Sequence, residues 1–369
     1  MKIICSKQKL SEGINIVSKI VPSNTTMTLL QCILIRAENG EIRFTANDME
    51  IGIETVIEGT IEIAGMVAVD AKKFAEMVRN LPDDDITIET DRDFILSFSC
   101  KSIRSNMTIV GVNGDEYTFL PDPDRIGEIA VSMYAFKDMI SKTMFSVGSS
   151  EINKTLTGAN VVVKGDQLRM KTLDGHRVSI RNLKLKESYP DFNVIIPSKT
   201  LNEVNRILPA ETEKEINIAF CETHAIFEFE KTVVVSALIS GQFIDVERMI
   251  TKEYDTKVKI NRKRLMECIT RSMFYSKEGN KKPIVINISD MELELTIRSS
   301  DGNLDEVIDI EKEGKDVRIG FNPRFVFEAL RVIEDEEVML YLVNSRSPLY
   351  IRDDEEKYIY MILPINLNE

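Results

Sequence analysis

The sequence of 369 residues predicts an α+β protein of three similar domains, each of which combines helices with antiparallel strands. A twelve-residue pattern occurs three times, at 70–81, 197–208 and 322–333, and the copies are spaced by 127 and 125 residues. A second helical pattern precedes each copy by about 60 residues, and alternating apolar and polar residues follow the helices. A unit that recurs along nearly the whole chain is typical of a repeat architecture.

The first helix of each domain is predicted at 7–20, 136–147 and 262–275. Apolar side chains recur at four-residue intervals at the start of each helix, which defines one buried face. The residues that can cap these helices are Ser6, Ser132 and Asn261. The apolar residues that follow the caps are Leu10, Ile14, Phe136, Ile140, Leu265 and Ile269.

Strand-like runs follow each first helix, at 29–54, 157–182 and 281–309. A polar turn divides each run, and the aspartates predicted to occupy equivalent turn positions are Asp48, Asp174 and Asp301. Shorter alternating runs after the second helices predict strands at 86–89, 216–229 and 338–351. Each domain is therefore predicted to run helix, strands, helix, strands.

The second helix of each domain carries two basic residues seven positions apart, which places both on one face. These helices are predicted at 72–81, 199–208 and 323–332. The first basic position holds Lys72, Lys199 and Arg324, and the second holds Arg79, Arg206 and Arg331. A glutamate stands between them in each copy: Glu76, Glu203 and Glu328. A basic helix face that occurs three times indicates a large polyanion as partner.

Two polar segments are the predicted linkers between domains. One is 120–128, where a Pro-Asp-Pro-Asp sequence disfavours any regular element, and the other is 251–256. The predicted domains are therefore 1–125, 126–252 and 253–369.

The charge of the chain is unevenly distributed. The net charge is -13, which would ordinarily argue against nucleic acid as a partner. The six predicted helices nevertheless hold 16 basic and six acidic residues, a net charge of +10, and the rest of the chain carries -23. If the helices line one surface, that surface attracts phosphates while the acidic remainder repels nucleic acid. The alternative is that helices simply tolerate Lys and Arg well.

Catalysis, a metal site and a cofactor are not expected. The five cysteines are scattered without paired spacing, and no apolar run is long enough for a membrane helix. Asp174 and His176 allow an Asp/His catalytic interpretation, but no nucleophile elbow, phosphate-binding loop or zinc-binding helix motif accompanies them or His224. A structural histidine is the simpler interpretation of His176. The sequence therefore predicts a binding protein.

Four segments resemble the bacterial DNA polymerase III beta subunit family, the sliding clamps. They are MKIICSKQKL at 1–10, LDGHRVSI at 173–180, SGQFIDVERMI at 240–250 and YMILPINL at 360–367. The resemblance covers the whole chain. It implies the DNA clamp fold, in which two chains join head to tail into a ring, with helices lining a central pore and antiparallel sheets outside. It also implies that the ring encircles duplex DNA without reading its sequence.

The resemblance and the basic helices together give the predicted DNA-binding residues. They are Asn24, Lys72, Lys73, Arg79, Lys137, Lys142, Lys199, Arg206, Arg262, Arg264, Arg324 and Arg331. Asn24 stands in the loop 21–28 where the family often has arginine, so DNA contact there is expected to be weaker.

By the same resemblance, a hydrophobic cleft between the second and third domains binds partner peptides that carry Leu or Phe. The residues placed in it are Leu156, Leu173, Gly175, His176, Arg177, Val178, Ile244, Arg248, Met249, Met361, Leu363, Pro364 and Ile365. Ile244 stands where proline is frequent and Asn366 where a basic residue is frequent, which leaves the preferred peptide open.

The subunit interface is expected between the first domain of one chain and the third domain of another. The residues placed there are Lys101, Arg104, Met107, Phe274, Tyr275, Asp305 and Glu306. Lys101 and Arg104 could face Asp305, Glu306 and Asp309, which would favour head-to-tail pairing. The alternative is ordinary surface charge on edge strands.

The resemblance implies a cytoplasmic homodimer with several partners and no membrane association. These are double-stranded DNA, the DNA polymerase III alpha subunit, an ATP-driven clamp loader and other proteins with a clamp-binding motif. The alternative function is a diverged interaction scaffold that does not serve the main replicase.

Overall fold

The computed structural model describes residues 1–105, 107–149, 152–209, 214–276 and 282–367, and these form two compact units. Unit 1 comprises 1–134 with 199–238, and unit 2 comprises 135–198 with 239–369. No helix in the described ranges is long and apolar enough to span a membrane.

Six α-helices and 25 strands are present in the described residues. Up to residue 132 the elements are β1 (Lys2–Ser6), α1 (Lys7–Val17), β2 (Cys32–Glu38), β3 (Glu41–Asn47), β4 (Ile51–Ile57), β5 (Thr60–Ile63), β6 (Gly65–Asp70), α2 (Ala71–Asn80), β7 (Asp85–Thr90), β8 (Ile95–Cys100), β9 (Met107–Val110), β10 (Val112–Asn113) and β11 (Arg125–Ser132). The next are α3 (Met133–Ser141), β12 (Gly158–Leu173), β13 (Arg177–Pro197), α4 (Ser198–Ile207), β14 (Glu215–Cys221), β15 (His224–Phe229) and β16 (Thr232–Ala237). The last are β17 (Thr256–Asn261), α5 (Arg262–Met273), β18 (Ile284–Ser289), β19 (Glu292–Ser299), β20 (Gly302–Asp309), β21 (Glu311–Gly314), β22 (Val317–Phe321), α6 (Pro323–Arg331), β23 (Glu337–Leu342), β24 (Leu349–Arg352) and β25 (Tyr358–Ile362).

The strands form four antiparallel sheets. Unit 1 contains a five-stranded sheet of order β5-β1-β7-β8-β9 and a nine-stranded sheet of order β10-β6-β2-β3-β4-β16-β15-β14-β11. Unit 2 contains a seven-stranded sheet of order β12-β13-β25-β24-β23-β17-β21 and a four-stranded sheet of order β20-β19-β18-β22. The predicted α+β class with repeated helix–strand units is confirmed.

Helices α1 and α5 begin at the predicted residues, and side-chain caps satisfy their first N–H groups. Ser6 accepts from the N–H of Lys9 at 3.3 Å, and Asn261 accepts from that of Arg264 at 3.0 Å. Equivalent caps start two of the second helices, at Asp70 in α2 and at Asn322 in α6. Their apolar faces are buried, and Phe74 of α2 packs between Phe44 and Phe98 with ring centroids 5.8 and 6.1 Å away.

All three first helices end earlier than predicted, and α5 ends at Met273 rather than 275. Helix α1 ends at Val17 and continues as a 3₁₀ turn over Ser18–Ile20. Helix α3 begins at Met133 rather than 136 and ends at Ser141 rather than 147. The buried Thr143 hydroxyl donates to the carbonyl of Met139 at 2.8 Å, and the Tyr360 hydroxyl donates to the carbonyl of Lys142 at 3.1 Å. These side chains occupy carbonyls that a continued helix would use.

The prediction for the linker at 120–128 is wrong in its second half. Residues from Arg125 onward already belong to β11, which pairs antiparallel with β14 from Cys221 to Glu215. The proline-rich stretch therefore ends just before a sheet strand rather than in a free connection.

Asp48, Asp174 and Asp301 lie in matching turns between paired strands, as predicted, but Asp301 does not hold the same position within its turn as the other two. The Asp48 carboxylate accepts from the N–H two residues later, that of Glu50, at 3.0 Å. In the third domain, the Ser299 hydroxyl accepts from the N–H of Asp301, two residues later, at 3.2 Å. Serine makes the same local turn bond as aspartate, so Ser299 is the equivalent residue.

Candidate functional site

Four of the basic residues predicted to contact DNA are exposed on their helices and make no ion pair within the described part of the chain. They are Lys72, Lys73, Arg79 and Arg331. Arg79 and Arg331 lie in the last turns of α2 and α6, where the helix dipole favours a cation. These side chains can meet a phosphate without first breaking a salt bridge.

Other predicted DNA-binding residues already have acidic partners. Lys199 binds Asp48, Arg206 lies 2.7 Å from Glu203, and Arg324 lies 2.9 Å from Glu328. Glu203 and Glu328 are the glutamates that stand between the two basic positions of the repeated helix. Because the basic members are more than half exposed, these pairs contribute little to stability and can exchange for phosphate.

The remaining predicted DNA-binding residues differ in accessibility. Lys142 is mostly buried between Asp138 and Glu334. Arg262 donates to the backbone carbonyl of Asp335 at 2.9 Å, and Arg264 lies 3.9 Å from Asp309. The Arg264 side chain is nevertheless exposed, as is that of Asn24 in the loop before β2, and Lys137 on α3 is partly accessible.

An apolar cluster in unit 2 brings together most of the residues predicted for the peptide cleft. Its buried members include Leu173, Val178 and Met361, and Leu156 and Leu363 pack on it while partly exposed. The two strands that carry Val178 and Met361 are paired so that these residues lie opposite each other. Sheet pairing therefore joins segments that lie 183 residues apart in the sequence.

The rim of this cluster is apolar and exposed. Met249 is 46% exposed, Ile244 is 41% exposed and Ile365 is 36% exposed, which is unusual for side chains of this kind. Pro364, which precedes Ile365, is partly buried. The Arg248 side chain is exposed, and its guanidinium lies 2.9 Å from the carboxylate of Asp245. An adaptable apolar surface beside a buried cluster can bind an extended apolar peptide.

Several cleft residues were missed by sequence reasoning. Val246, Tyr341, Tyr350 and Ile359 are buried members of the cluster, and Phe243 packs on it. Tyr350 donates from its hydroxyl to the carbonyl of Met249 at 3.0 Å, and burial raises its pKa, so it stays a neutral donor. The available signal was that the alternating run 338–351 contains two tyrosines, which the structure pairs directly across β23 and β24.

Arg177 and His176 occupy the turn between β12 and β13. The Arg177 guanidinium is buried, lies 4.5 Å above the ring of Phe325, and donates to Asp174 at 2.9 Å and to Glu328 of α6. The imidazole of His176 is exposed and stacks on the same phenylalanine. Arg177 thus fixes the turn that carries the cleft wall, whereas Gly175, with φ of +88°, is open at its tip.

The residues predicted for the subunit interface lie at two sheet edges. Met107 begins β9, the edge strand of the five-stranded sheet, and exposed Lys101 and Arg104 precede it. Strand β20 is an edge of the four-stranded sheet, and the ring of Tyr275 packs against its first residue, Gly302. Both edges leave backbone groups available for a further strand.

Phe274 is the most exposed aromatic ring near these edges. It is 62% exposed and contacts Tyr275 edge-on at 5.2 Å. The acidic residues predicted to face another chain already have partners in their own chain. Asp305 binds Arg298, Glu306 binds Arg271 at 2.9 Å, and Asp309 lies 3.9 Å from Arg264. Charge pairing between chains would therefore require these partners to be shared or exchanged.

Family models for the DNA polymerase III beta subunit match almost the whole chain. The N-terminal domain model matches residues 1–121, the central domain model 130–245 and the C-terminal domain model 247–366. A beta sliding clamp of Bacillus subtilis is 30% identical over 99% of both chains. A chain described as a DNA polymerase III beta subunit from Eubacterium rectale superposes with a TM-score of 0.97 at 48% identity, over all of both chains. The structure of a DNA polymerase sliding clamp from Bacillus subtilis gives 0.95 at 28% identity, also over all of both chains.

Proposed function

The chain belongs to the DNA polymerase III beta subunit family, and from this membership we propose how its surfaces form a ring on DNA. It is a processivity factor and not an enzyme: a sliding clamp holds a DNA polymerase on its template. Relatives that match over their full length are sliding clamps, which supports this function over that of a diverged scaffold. The domains are 1–125, 126–252 and 253–369, as the repeat indicates.

The observation that carries the ring is a strand pairing that occurs at both internal domain junctions. In unit 1, β4 of the first domain pairs with β16, the last strand of the second domain. In unit 2, the first part of β13 pairs with β25, the last strand of the third domain. In the third domain, β20 is the strand equivalent to β4. In the first domain, β9 is the strand equivalent to β16 and β25. We therefore assign β9 and β20 to a third junction, between two chains.

The repeat fixes the position of β20 in this junction. Ile53 of β4 lies five residues after Asp48 and opposite Val234 of β16. Leu304 of β20 lies five residues after Ser299, which holds the same turn position as Asp48. Leu304 is therefore equivalent to Ile53.

The equivalent of Val234 in β9 follows from the adjoining hairpins. Val234 lies opposite the buried Phe227, and Met107 lies opposite the buried Phe98. Met107 of one chain is thus expected opposite Leu304 of the second chain. Both side chains are half-buried in the single chain, so the pairing would place two apolar groups together.

A cysteine pair tests this junction and the ring together. In the Met107→Cys, Leu304→Cys double variant, paired strands bring the two Cα atoms to roughly 4.5–5.5 Å, within reach of a disulfide. We expect oxidation to give a covalent dimer, visible by non-reducing electrophoresis. When the variant is loaded on nicked circular duplex by a clamp loader and ATP before oxidation, the covalent ring should stay on the circle at high salt and leave it after linearisation.

Each single-cysteine variant is the control and should stay monomeric on the gel. A covalent dimer that remains on linearised DNA would contradict encirclement. Absence of cross-linking in a protein that sediments as a dimer would contradict the assigned junction.

The basic helix faces are proposed to contact the DNA backbone weakly. Lys72, Lys73, Arg79 and Arg331 are exposed cations on α2 and α6 that make no ion pair within the described residues. Phosphate contacts of this kind position DNA without reading bases, which allows sliding. The ring, rather than tight binding, then prevents dissociation.

The apolar cluster of unit 2 is proposed to bind peptides of the DNA polymerase III alpha subunit, of the clamp loader and of other proteins with a clamp-binding motif. A tethered polymerase has a high effective concentration at the primer end. A closed ring must be opened before it can enclose a circle, and we assign this step to an ATP-driven loader. The sequence of the chain itself contains no phosphate-binding loop. We place this activity in the cytoplasm.

Substitution of Met249 by aspartate tests the cleft. Met249 is exposed on the rim, so the change should leave the fold intact while it places a charge against an apolar peptide side chain. We expect affinity for a Leu- and Phe-containing peptide to fall by about 10-fold or more, measured by fluorescence anisotropy. The control is Met291→Asp, an equally exposed methionine at the β18–β19 turn, which should bind as wild type. Equal loss in both variants, or none in either, would contradict the cleft assignment.

A further inference from the structure

A cavity beside the C-terminal segment of unit 2 has no role in the ring or in the apolar cleft. Its volume is about 980 Å³, which is in the range of ligand pockets. It is formed by the strand β22, the turn between β23 and β24, and the chain around Asn366 and Leu367.

The charge of this cavity is positive and not compensated. Arg318 of β22 and Arg346 of the β23–β24 turn both line it and are exposed. Within the described ranges neither guanidinium has an acidic partner. The two acidic residues in the lining, Asp255 and Asp316, are paired with Lys315 and with Lys312.

Two segments of the chain extend from the apolar cluster to this cavity. Leu363 packs on the apolar cluster, and Asn366 lines the cavity three residues later. Between them, Ile365 donates its N–H to the carbonyl of Gly320 at 2.8 Å, which holds this segment beside β22. The hairpin of β23 and β24 places Tyr341 and Tyr350 in the cluster and its turn at the cavity.

We propose that this cavity, the Arg318–Arg346 pocket, binds an acidic segment that flanks the apolar anchors of a peptide held in the cleft. The inference rests on the proposed peptide-binding function. A carboxylate is a group that guanidinium groups bind well, since each guanidinium can offer paired N–H donors. A chain that leaves the cleft along residues 363–367 reaches the pocket within a few residues, and a residue in extended conformation spans about 3.3 Å.

Three labelled peptides test the proposal by fluorescence anisotropy with the full-length protein. One is a ten-residue peptide with Leu and Phe anchors and otherwise neutral residues, and the others carry three aspartates at its N-terminal or C-terminal end. We expect one acidic peptide to bind about five-fold more tightly than the neutral peptide at low salt, with the gain lost at 0.5 M salt.

The Arg318→Ala, Arg346→Ala double variant should lose this gain and keep the affinity for the neutral peptide. The matched control is Arg92→Ala, Lys184→Ala, which removes two exposed cations elsewhere and should keep the gain. Equal affinity of all three peptides for the wild type, or a gain that persists in the Arg318/Arg346 variant, would overturn the pocket. Failure of the neutral peptide to bind would instead count against the cleft itself.

Discussion

Replacement of Phe274 by alanine should dissociate the dimer. Phe274 is exposed beside β20 and occupies, nine residues after Leu265, the position that Phe145 occupies nine residues after Phe136 in the second domain. Phe145 packs across the junction of the second and third domains, on Tyr360 of β25, with ring centroids 5.6 Å apart. We therefore expect Phe274 to make the equivalent contact with β9 of the second chain.

A cavity beside β9 is available for this ring. It has a volume of about 490 Å³ and is lined by Met77 of α2 and by Ile109 and Val110 of β9, among others. Truncation of an aromatic residue that fills such a site costs about 2–4 kcal/mol in binding, and a two-fold ring contains the contact twice. The dissociation constant of the dimer should therefore rise by more than about 100-fold, as measured by sedimentation velocity over a concentration series.

Phe119→Ala is the matched control, since Phe119 is also an exposed phenylalanine but lies away from β9 and β20. Its dimer should be as stable as that of the wild type. A Phe274→Ala protein that sediments as a dimer at nanomolar concentration would show that this ring does not close the interface. The far-UV circular dichroism of the two variants should be alike, because neither side chain belongs to the buried core.

Most of the fold could be predicted from the sequence because its signals are local. Caps such as Ser6 and Asn261 and the alternation within strands depend on neighbouring residues alone. That Ser299 holds the position of Asp48 in its turn could not be predicted, because the nearby Asp301 matches Asp48 in residue type. Only the hydrogen bond of the turn and the strand register distinguish them.

The candidate cleft was partly predictable for a similar reason. Leu173, Val178 and Met361 lie in segments that resemble the family, whereas Tyr341 and Tyr350 lie outside these segments and join the cluster through contacts between distant parts of the chain. The charged residues of the helices could be counted from the sequence, but their salt-bridge partners could not be predicted from it. Arg177, for example, meets Glu328 from a position 151 residues earlier in the chain.

Replacement of Arg177 by methionine should destabilise the protein by about 3–5 kcal/mol, because it leaves two carboxylates without their buried cation. Those carboxylates are Asp174, in the same turn, and Glu328, on α6. Burial alone would raise the pKa of Glu328, but hydrogen bonds from Arg324 and Arg177 outweigh it and lower the pKa. A chemical denaturation series at neutral pH would give the difference in the free energy of unfolding.

The pH dependence separates this charge network from simple loss of packing. A lowered pKa in the folded state contributes stability above the ordinary pKa of glutamate, about 4.3, and that contribution is lost as the pH falls through the folded value. The difference between wild type and Arg177→Met should therefore be largest near neutral pH and shrink below about pH 4. Arg248→Met, which removes an exposed arginine with a single surface partner, is the control and should change stability by less than about 0.5 kcal/mol. A difference for Arg177→Met that stays constant from about pH 5 down to about pH 3 would assign the effect to packing on Phe325 instead of to the carboxylates, since carboxylates titrate in that range and packing does not.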